Sequence, residues 1–239
     1  MARILIRAGK DPFTAVVPET TLTQDVFNSN SGNFLFQHSV WKSLAVAPHE
    51  LVANSTLSER RQSSTRDASA VNEQFDQFVI PMANSFRSDF ADKLDNLTRL
   101  VEQLKIPTTV VGIGAQAPAD RSFGAWAGVR DSTKRFVSAV LDRSASIGVR
   151  GEFTRDFLVD LGFPESSVDI IGCPSLFLHG PDHHVQKRVD AVSAGSTMAL
   201  NLTPEVAGIG AFATEQAQRH PNLTYRGQDA HDLRLLLRG

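Results

Sequence analysis

The chain has 239 residues, of which 41% are hydrophobic and 21% charged, so it carries enough apolar side chains for an ordinary globular core. Its formal net charge of −2 argues against a nucleic-acid-binding protein, and its single cysteine excludes an internal disulfide framework. The N-terminus lacks the apolar stretch of a signal peptide, and no run of about 18 apolar residues occurs, so we expect a cytoplasmic protein without a membrane span.

Short apolar runs alternate with helical patterns along the first three quarters of the chain, which predicts an α/β protein with a mostly parallel sheet. In chain order the pattern predicts a strand at 3–7, a helix at 37–47, a surface loop at 54–72 with or without a short helix, and a strand ending at Met82. It then predicts a helix at 89–105, a strand from 108, a helix at 132–143, a strand at 147–149, a helix with Thr154 as its N-cap, and a strand at 168–172. We therefore expect a Rossmann-like N-terminal domain over residues 1–178.

The last quarter of the chain breaks this rhythm. Residues 179–196 are polar and predict a linker, whereas residues 197–239 predict the start of a second Rossmann-like domain. That second part holds a strand near 196–202, a helix at 214–219, a strand at 223–226 and a helix from Asp229 onward. Two strand–helix units are too few for a complete domain, so we expect this second α/β unit to be incomplete.

Ligands of open α/β sheets bind beyond the carboxyl ends of the strands, so the loops at those ends are the candidate binding residues. These loops are 31–33, 83–85, 112–116 and 150–152. Gly112 and Gly114 permit a tight turn and the close approach of a ligand. The third glycine of a dinucleotide fingerprint is missing, and a purely structural turn at the strand end stays an alternative.

Arg150 stands where a predicted strand meets a predicted helix. Its guanidinium is a planar fork suited to a carboxylate or a phosphate, and the helix N-terminus beside it adds amide donors and a positive dipole end. The arrangement indicates an anion pocket. A salt bridge from Arg150 to Glu152, or to an acidic residue of a neighbouring loop, is the alternative.

Two further features are weaker candidates for a functional site. The HGPDHH stretch at 179–184 holds histidines and an aspartate, but adjacent histidines rarely face one ion, so we predict no metal site. Cys173 lies before a proline at a strand end, which favours a packed small residue over a nucleophile.

Three ordered strings, TVVGIGAQ at 109–116, SIGVRGEFTRDFLVDLG at 146–162 and VDIIGCPSLFL at 168–178, resemble the polysaccharide pyruvyl transferase family. The resemblance implies half of the architecture of a B-type glycosyltransferase, in which two Rossmann-like halves face each other across a cleft. It also implies transfer of the pyruvyl group of phosphoenolpyruvate to a sugar of an exopolysaccharide or a cell-wall glycan, with release of phosphate and without a cofactor.

The resemblance assigns a donor-anion contact to Arg150, which matches the Val-Arg motif of the family. With it we predict donor-binding residues and acceptor-binding or orienting residues: Gly112, Gly114 and Gln116 for phosphoenolpyruvate, and Gly32, Asn33, Asn84 and Glu152 for the saccharide or for orienting Arg150.

The sequence departs from the family in two places. Gly32-Asn33 is not followed by the usual Gly-Asp, and the Arg-x-His motif of the second half is absent. The general acid and base are therefore not assigned, and we expect the catalytic C-terminal half to be missing. A non-catalytic truncated member and a B-type glycosyltransferase that uses a nucleotide-sugar stay open as alternatives, as do a homo-oligomer and a missing C-terminal partner.

Overall fold

The structure, a computed structural model of the chain, describes residues 1–24, 30–46, 48–54, 62–117, 127–180, 182–187, 189–193, 195–202, 206–228 and 232. The chain divides into two compact units. The first consists of Met1–Ala15 and Leu35–His179, and the second of Val16–Phe34 and Gly180–Gly239.

The described residues form parallel sheets. The strands are β1 (Arg3–Ile6), β2 (Glu50–Ala53), β3 (Gln77–Pro81), β4 (Thr108–Val111), β5 (Ile147–Val149), β6 (Val168–Ile170), β7 (Met198–Leu200) and β8 (Leu223–Tyr225). In the first unit, four strands pair in the order β2-β1-β3-β4, and β5 pairs with β6. Backbone hydrogen bonds from Gly112 to Gly148 and from Arg150 to Ile113 attach β5 to the segment that follows β4. The six strands thus follow one another in the order β2-β1-β3-β4-β5-β6.

Helices cover both faces of this sheet, as a parallel sheet requires. In the first unit these helices are α2 (Ser31–Leu44), which belongs to it from Leu35 onward, α3 (Thr65–Gln74), α4 (Ala91–Val101), α5 (Ala127–Leu141) and α6 (Glu152–Asp160). Two further helices, α1 (Pro18–Thr23) and α7 (Ile209–Arg219), belong to the second unit. On β1, Ile4 and Ile6 pack in the cluster that holds Val40 and Trp41 of α2, whereas Leu5 packs in the cluster of α3 to α6. This alternation along a strand confirms the predicted Rossmann-like α/β domain.

Several helix ends differ from the sequence prediction. Helix α2 begins at Ser31 and not at 37, and α5 begins at Ala127 and not at 132. The short helix that the sequence allowed within 54–72 is present as α3, which begins at Thr65 and continues to Gln74, and Ser64 and Asp67 form a reciprocal capping box at its start. The predicted helix at 89–105 is a 3₁₀ turn over Ser88–Phe90 followed by the shorter α4.

The second unit contains a smaller α/β element. Strands β7 and β8 pair in parallel, with α7 between them in sequence, which matches the predicted strand–helix–strand order. The Asn201 side chain donates to the carbonyl oxygen of Arg226 at 2.7 Å and so extends this pairing. Among the described residues of 179–196 no helix or strand occurs. The helix predicted from Asp229 lies outside the described residues, apart from position 232.

Candidate functional site at the carboxyl edge

The three candidate loops of the first unit follow adjacent strands. Ala83 and Asn84 come after β3, the segment 112–116 comes after β4, and Arg150 comes directly after β5. Because these strands are parallel neighbours, the loops share the carboxyl edge of the sheet. The predicted donor residues are therefore brought to one edge.

The segment 112–116 is sheet-like and not an open loop, because each of its backbone amides already donates a hydrogen bond. The acceptors are the Gly148 oxygen for Gly112 (2.9 Å) and Ile113 (3.2 Å), the Ala83 oxygen for Gly114 (2.7 Å), Thr154 Oγ1 for Ala115 (3.0 Å) and the Phe86 oxygen for Gln116 (3.1 Å). This backbone therefore offers no free amide donor to a ligand.

The two glycines of the segment have steric roles. Gly112 has a φ of 73°, and a Cβ placed there would lie 2.6 Å from Cδ of Pro174. A Cβ at Gly114 would lie 3.3 Å from Cδ of Arg150 and 3.7 Å from Cα of Asn84. The missing side chains let Pro174 and Arg150 pack directly against the backbone. Gly112, Gly114, Asn84 and Arg150 are thus close neighbours.

Arg150 is held by its backbone and by the base of its guanidinium. Its amide donates to the oxygen of Ile113 at 2.9 Å, and its Nε donates to the oxygen of Gly112 at 2.7 Å. The guanidinium carbon lies 5.5 Å from the ring centroid of Phe36, a buried residue of α2, which is within the range of a cation–π contact. Packing and hydrogen bonds thus fix where the side chain points.

The two terminal nitrogens of Arg150 have no hydrogen-bond partner among the described residues, and none of the described carboxylates forms a salt bridge with this half-buried side chain. The salt bridge between Arg150 and Glu152, the alternative to an anion pocket, is not formed. Other arginines differ: Arg135 donates two 2.7 Å hydrogen bonds to Glu102, which raise the pKa of Arg135. Within the described part of the chain, the fork of Arg150 is therefore not used by an acceptor of the protein itself.

The N-terminus of α6 lies next to Arg150 in the chain. The helix begins at Glu152 with Gly151 as its N-cap, so the predicted N-cap at Thr154 is wrong. Thr154 is buried and its hydroxyl instead accepts the Ala115 amide, which ties α6 to the segment after β4. The amides of Gly151 and Glu152 have no acceptor among the described residues. The exposed Glu152 side chain stands in the first turn of the helix.

Asn84 and Gln116 form a side-chain pair at this edge. Asn84 Nδ2 donates to Gln116 Oε1, and Arg87 Nη1 donates to both the backbone oxygen (3.0 Å) and Oδ1 (3.1 Å) of Asn84. Asp89 in turn accepts from Arg87 Nε at 2.8 Å. Arg87 is not among the residues predicted from the sequence, although its position three residues after Asn84 is a local signal for a contact between the two.

Two of the predicted acceptor residues, Gly32 and Asn33, lie outside the first unit. Gly32 and Asn33 belong to the second unit, in the first turn of α2, where Asn30 accepts the Gly32 amide through Oδ1 (2.7 Å) and the Asn33 amide through its backbone oxygen (3.0 Å). They are not among the residues that the first unit brings together.

The first unit also contains an open cavity of about 250 Å³ on the α2 face of the sheet. Its lining is formed by Val40, Ser43, Leu44, Gln77, Val79, Thr109, Val111, Ile171, Pro174 and Phe177. No charged residue lines it, so this cavity does not suit a small dianion.

The remaining candidates from the sequence are Cys173 and the possible metal ligands. Cys173 is half-buried, with its Sγ 3.1 Å from Oγ of Ser175. Among the described residues, no group of three or more His, Cys, Asp or Glu side chains is placed to hold a metal ion. None of the described helices combines the length and the apolar character needed to cross a membrane.

The fold and the edge define a doubly wound parallel α/β protein with an arginine fork at the carboxyl ends of its strands. A family model described as polysaccharide pyruvyl transferase matches residues 10–215. The chain belongs to the polysaccharide pyruvyl transferase family, as its three strings predicted. Comparisons with curated proteins and with solved structures found no significant match.

Proposed function

We propose that this protein binds phosphoenolpyruvate through Arg150 and serves pyruvyl transfer to a sugar of an exopolysaccharide or a cell-wall glycan. Family membership supports the reaction class. The observation that carries the donor assignment is the guanidinium of Arg150, whose Nε is anchored on Gly112 while its terminal nitrogens have no partner among the described residues.

The chemistry of the donor agrees with this assignment. Phosphoenolpyruvate carries a carboxylate and a phosphate, which only accept hydrogen bonds when fully ionised. A guanidinium fork and the amides at the start of α6 supply only donors, and the positive end of the helix dipole adds to the attraction. A small, fixed set of cationic and amide donors is what such a ligand requires.

The proposed transfer balances as follows. Two hydroxyl groups of one sugar residue form bonds to C2 of phosphoenolpyruvate, and the bond from C2 to the phosphate oxygen breaks. One hydroxyl proton ends on the methylene carbon, which becomes a methyl group, and the other leaves with the phosphate. The product is a pyruvyl ketal. Both proton movements need acid–base assistance.

We assign the remaining predicted residues on the same basis. Gly112 and Gly114 shape the edge by letting neighbouring groups approach, and Gln116 adds side-chain amide donors for the phosphoenolpyruvate anion. The Glu152 side chain is exposed in the first turn of α6, and we propose that it accepts a hydrogen bond from a hydroxyl of the saccharide. Gly32 and Asn33 remain proposed acceptor residues.

Isothermal calorimetry with phosphoenolpyruvate tests the assignment. Arg150→Ala should weaken binding by about 10- to 100-fold, the loss expected for a hydrogen bond to a charged group. Arg150→Lys should restore only part of the affinity, because an ammonium lacks the fork. Arg155→Ala is the matched control. It also removes one arginine charge, but from a guanidinium in α6 that is already paired with Asp156 and Glu165.

Two results would contradict the proposal. Equal affinity of the wild-type protein and Arg150→Ala would remove Arg150 from the donor site. Binding of a nucleoside diphosphate sugar in place of phosphoenolpyruvate would favour a glycosyltransferase reaction on the same fold.

A further inference from the structure

A chain of hydrogen bonds at the carboxyl edge has a fixed direction. Arg87 Nη1 donates to Asn84 Oδ1, and Asn84 Nδ2 donates to Gln116 Oε1. A guanidinium has donors and no acceptor, so Asn84 must turn its carbonyl oxygen toward Arg87. Its NH₂ group then faces Gln116, which must present its own carbonyl oxygen to Asn84.

The consequence appears at the far end of the chain. The Nε2 atom of Gln116 is left with both of its hydrogens, and it has no acceptor among the residues that the structure describes. Gln116 is exposed, so these donors are accessible. An isolated glutamine can turn either end of its amide toward a ligand, whereas here the oxygen is held by Asn84 and the NH₂ group is the end left without a partner among the described residues.

The outer end of this relay belongs to the edge that carries Arg150. Cα of Asn84 and Cδ of Arg150 both lie within 3.7 Å of a single point beside Gly114. Arg87 itself is steadied by Asp89 and by the ring of Phe90, 5.5 Å from its guanidinium carbon. Arg87 therefore sets the direction of the relay, and Asn84, its middle residue, lies with Arg150 beside Gly114.

We propose that Arg87 is a positioning residue that determines ligand specificity, because it orients Asn84 so that Gln116 presents amide donors to the anion bound by Arg150. Asn84 then orients Gln116 and does not itself hold the saccharide. The proposal rests on the proposed function and adds to it the reason why the edge selects a carboxylate or a phosphate over a neutral hydroxyl ligand.

The test is a double-mutant cycle read by calorimetric titration with phosphoenolpyruvate and, separately, with inorganic phosphate. Asn84→Asp keeps the shape and still accepts from Arg87, but it has no N–H for Gln116. Gln116 must then turn its NH₂ group toward position 84 and its carbonyl oxygen toward the ligand. Gln116→Met removes the amide without changing the charge.

Asn84→Asp should weaken binding by about tenfold or more, as should Gln116→Met. In the Gln116→Met background, Asn84→Asp should have a clearly smaller effect, because no amide is left to turn. An equal effect in both backgrounds would mean that the added charge acts alone, and this would overturn the proposal. Unchanged affinity in Asn84→Asp would overturn it as well.

Variants of Arg87 provide the second readout. Arg87→Lys retains a donor-only group and should keep much of the wild-type affinity, whereas Arg87→Met should lose affinity by a similar factor to Asn84→Asp. Equal losses in the lysine and methionine variants would contradict the positioning role. If the wild-type protein binds neither ligand, the proposed function itself is overturned. If the wild-type protein binds and the variants bind equally well, only the positioning role of Arg87 is overturned.

Discussion

Arg150 donates a 2.7 Å hydrogen bond from Nε to the carbonyl oxygen of Gly112, so the base of the guanidinium is fixed while its outer nitrogens point away from that anchor. Gly112 is in turn packed against Pro174, whose Cδ occupies the space of a Cβ. The three sequence strings typical of the family therefore meet at one edge. Through Gly112 and Ile113, which accept hydrogen bonds from Arg150, they hold the base of this arginine in place.

Gly114→Ala should weaken phosphoenolpyruvate binding more than it destabilises the fold. The new Cβ would lie 3.3 Å from Cδ of Arg150, and the arginine side chain must shift to relieve that contact. Leaving a preferred rotamer costs about 0.5–1.5 kcal/mol, which corresponds to roughly two- to tenfold in affinity. Calorimetry measures the affinity and urea unfolding measures the stability.

Gly128→Ala is the control, since nothing lies within 4 Å of a Cβ at that position in α5. It should leave binding unchanged. If Gly114→Ala binds phosphoenolpyruvate as tightly as this control does, the contact between position 114 and Arg150 does not govern the donor site.

Gly112→Ala should lower the free energy of unfolding through two separable costs. A left-handed backbone costs about 1–2 kcal/mol for a residue with a side chain, and the clash with Pro174 adds about 1–3 kcal/mol. Gly162→Ala is a matched control, because Gly162 also has a positive φ of 97° but nothing within 4 Å of its Cβ position. Equal losses in the two variants, measured by urea unfolding, would exclude a packing role for Pro174.

The sequence was a good guide to the fold where periodicity and turn residues agree. The strands after residue 76 follow the prediction. Helix α6 ends at Asp160, where Gly162, with its positive φ, and the Phe163 amide, which donates to the Leu158 oxygen, close the helix. The starts of α2 and α5 were missed because their first turns carry few apolar residues.

The candidate site could be located from the sequence but not understood from it. The position of Arg150 between a strand and a helix was sufficient to place it at the carboxyl edge. The amides of 112–116 are all occupied, and Thr154 bonds Ala115 and does not cap its helix, through contacts between residues that are 30 to 39 positions apart in the chain. Local patterns contain no information about such pairings, so the contact between Asn84 and Gln116, and with it the direction of the relay, was not predicted.

Thr154→Val should destabilise the first unit by about 1–3 kcal/mol. The Thr154 hydroxyl accepts the Ala115 amide at 3.0 Å and is 3% exposed as a residue, so valine leaves that amide without an acceptor in the interior. Thr154→Ser keeps the acceptor and loses one methyl group, worth about 0.8 kcal/mol. Urea unfolding followed by tryptophan fluorescence distinguishes them. A serine variant less stable than the valine variant would show that the hydroxyl contributes little.

The aromatic residues beneath the edge lead to the last prediction. Phe86 is fully buried, and its ring centroid lies 6.3 Å from that of Phe136 and 6.4 Å from that of Phe157, both in edge-to-face geometry. Phe86→Ala should reduce the free energy of unfolding by about 3–5 kcal/mol, since it removes a large buried side chain and leaves a cavity. Phe86→Leu should cost less, because it refills much of the volume and gives up mainly two aromatic pairs worth about 0.5–1.5 kcal/mol each.

The backbone of Phe86 links this core to the site, because its amide donates to Gly114 and its oxygen accepts from Gln116. Phe86→Leu should therefore also weaken phosphoenolpyruvate binding under conditions where the variant is fully folded. Phe212→Leu, on the exposed side of α7, is the control and should change stability by less than about 0.5 kcal/mol. If Phe86→Leu loses stability but keeps full affinity, the core supports the fold without governing the geometry at Gly114 and Gln116.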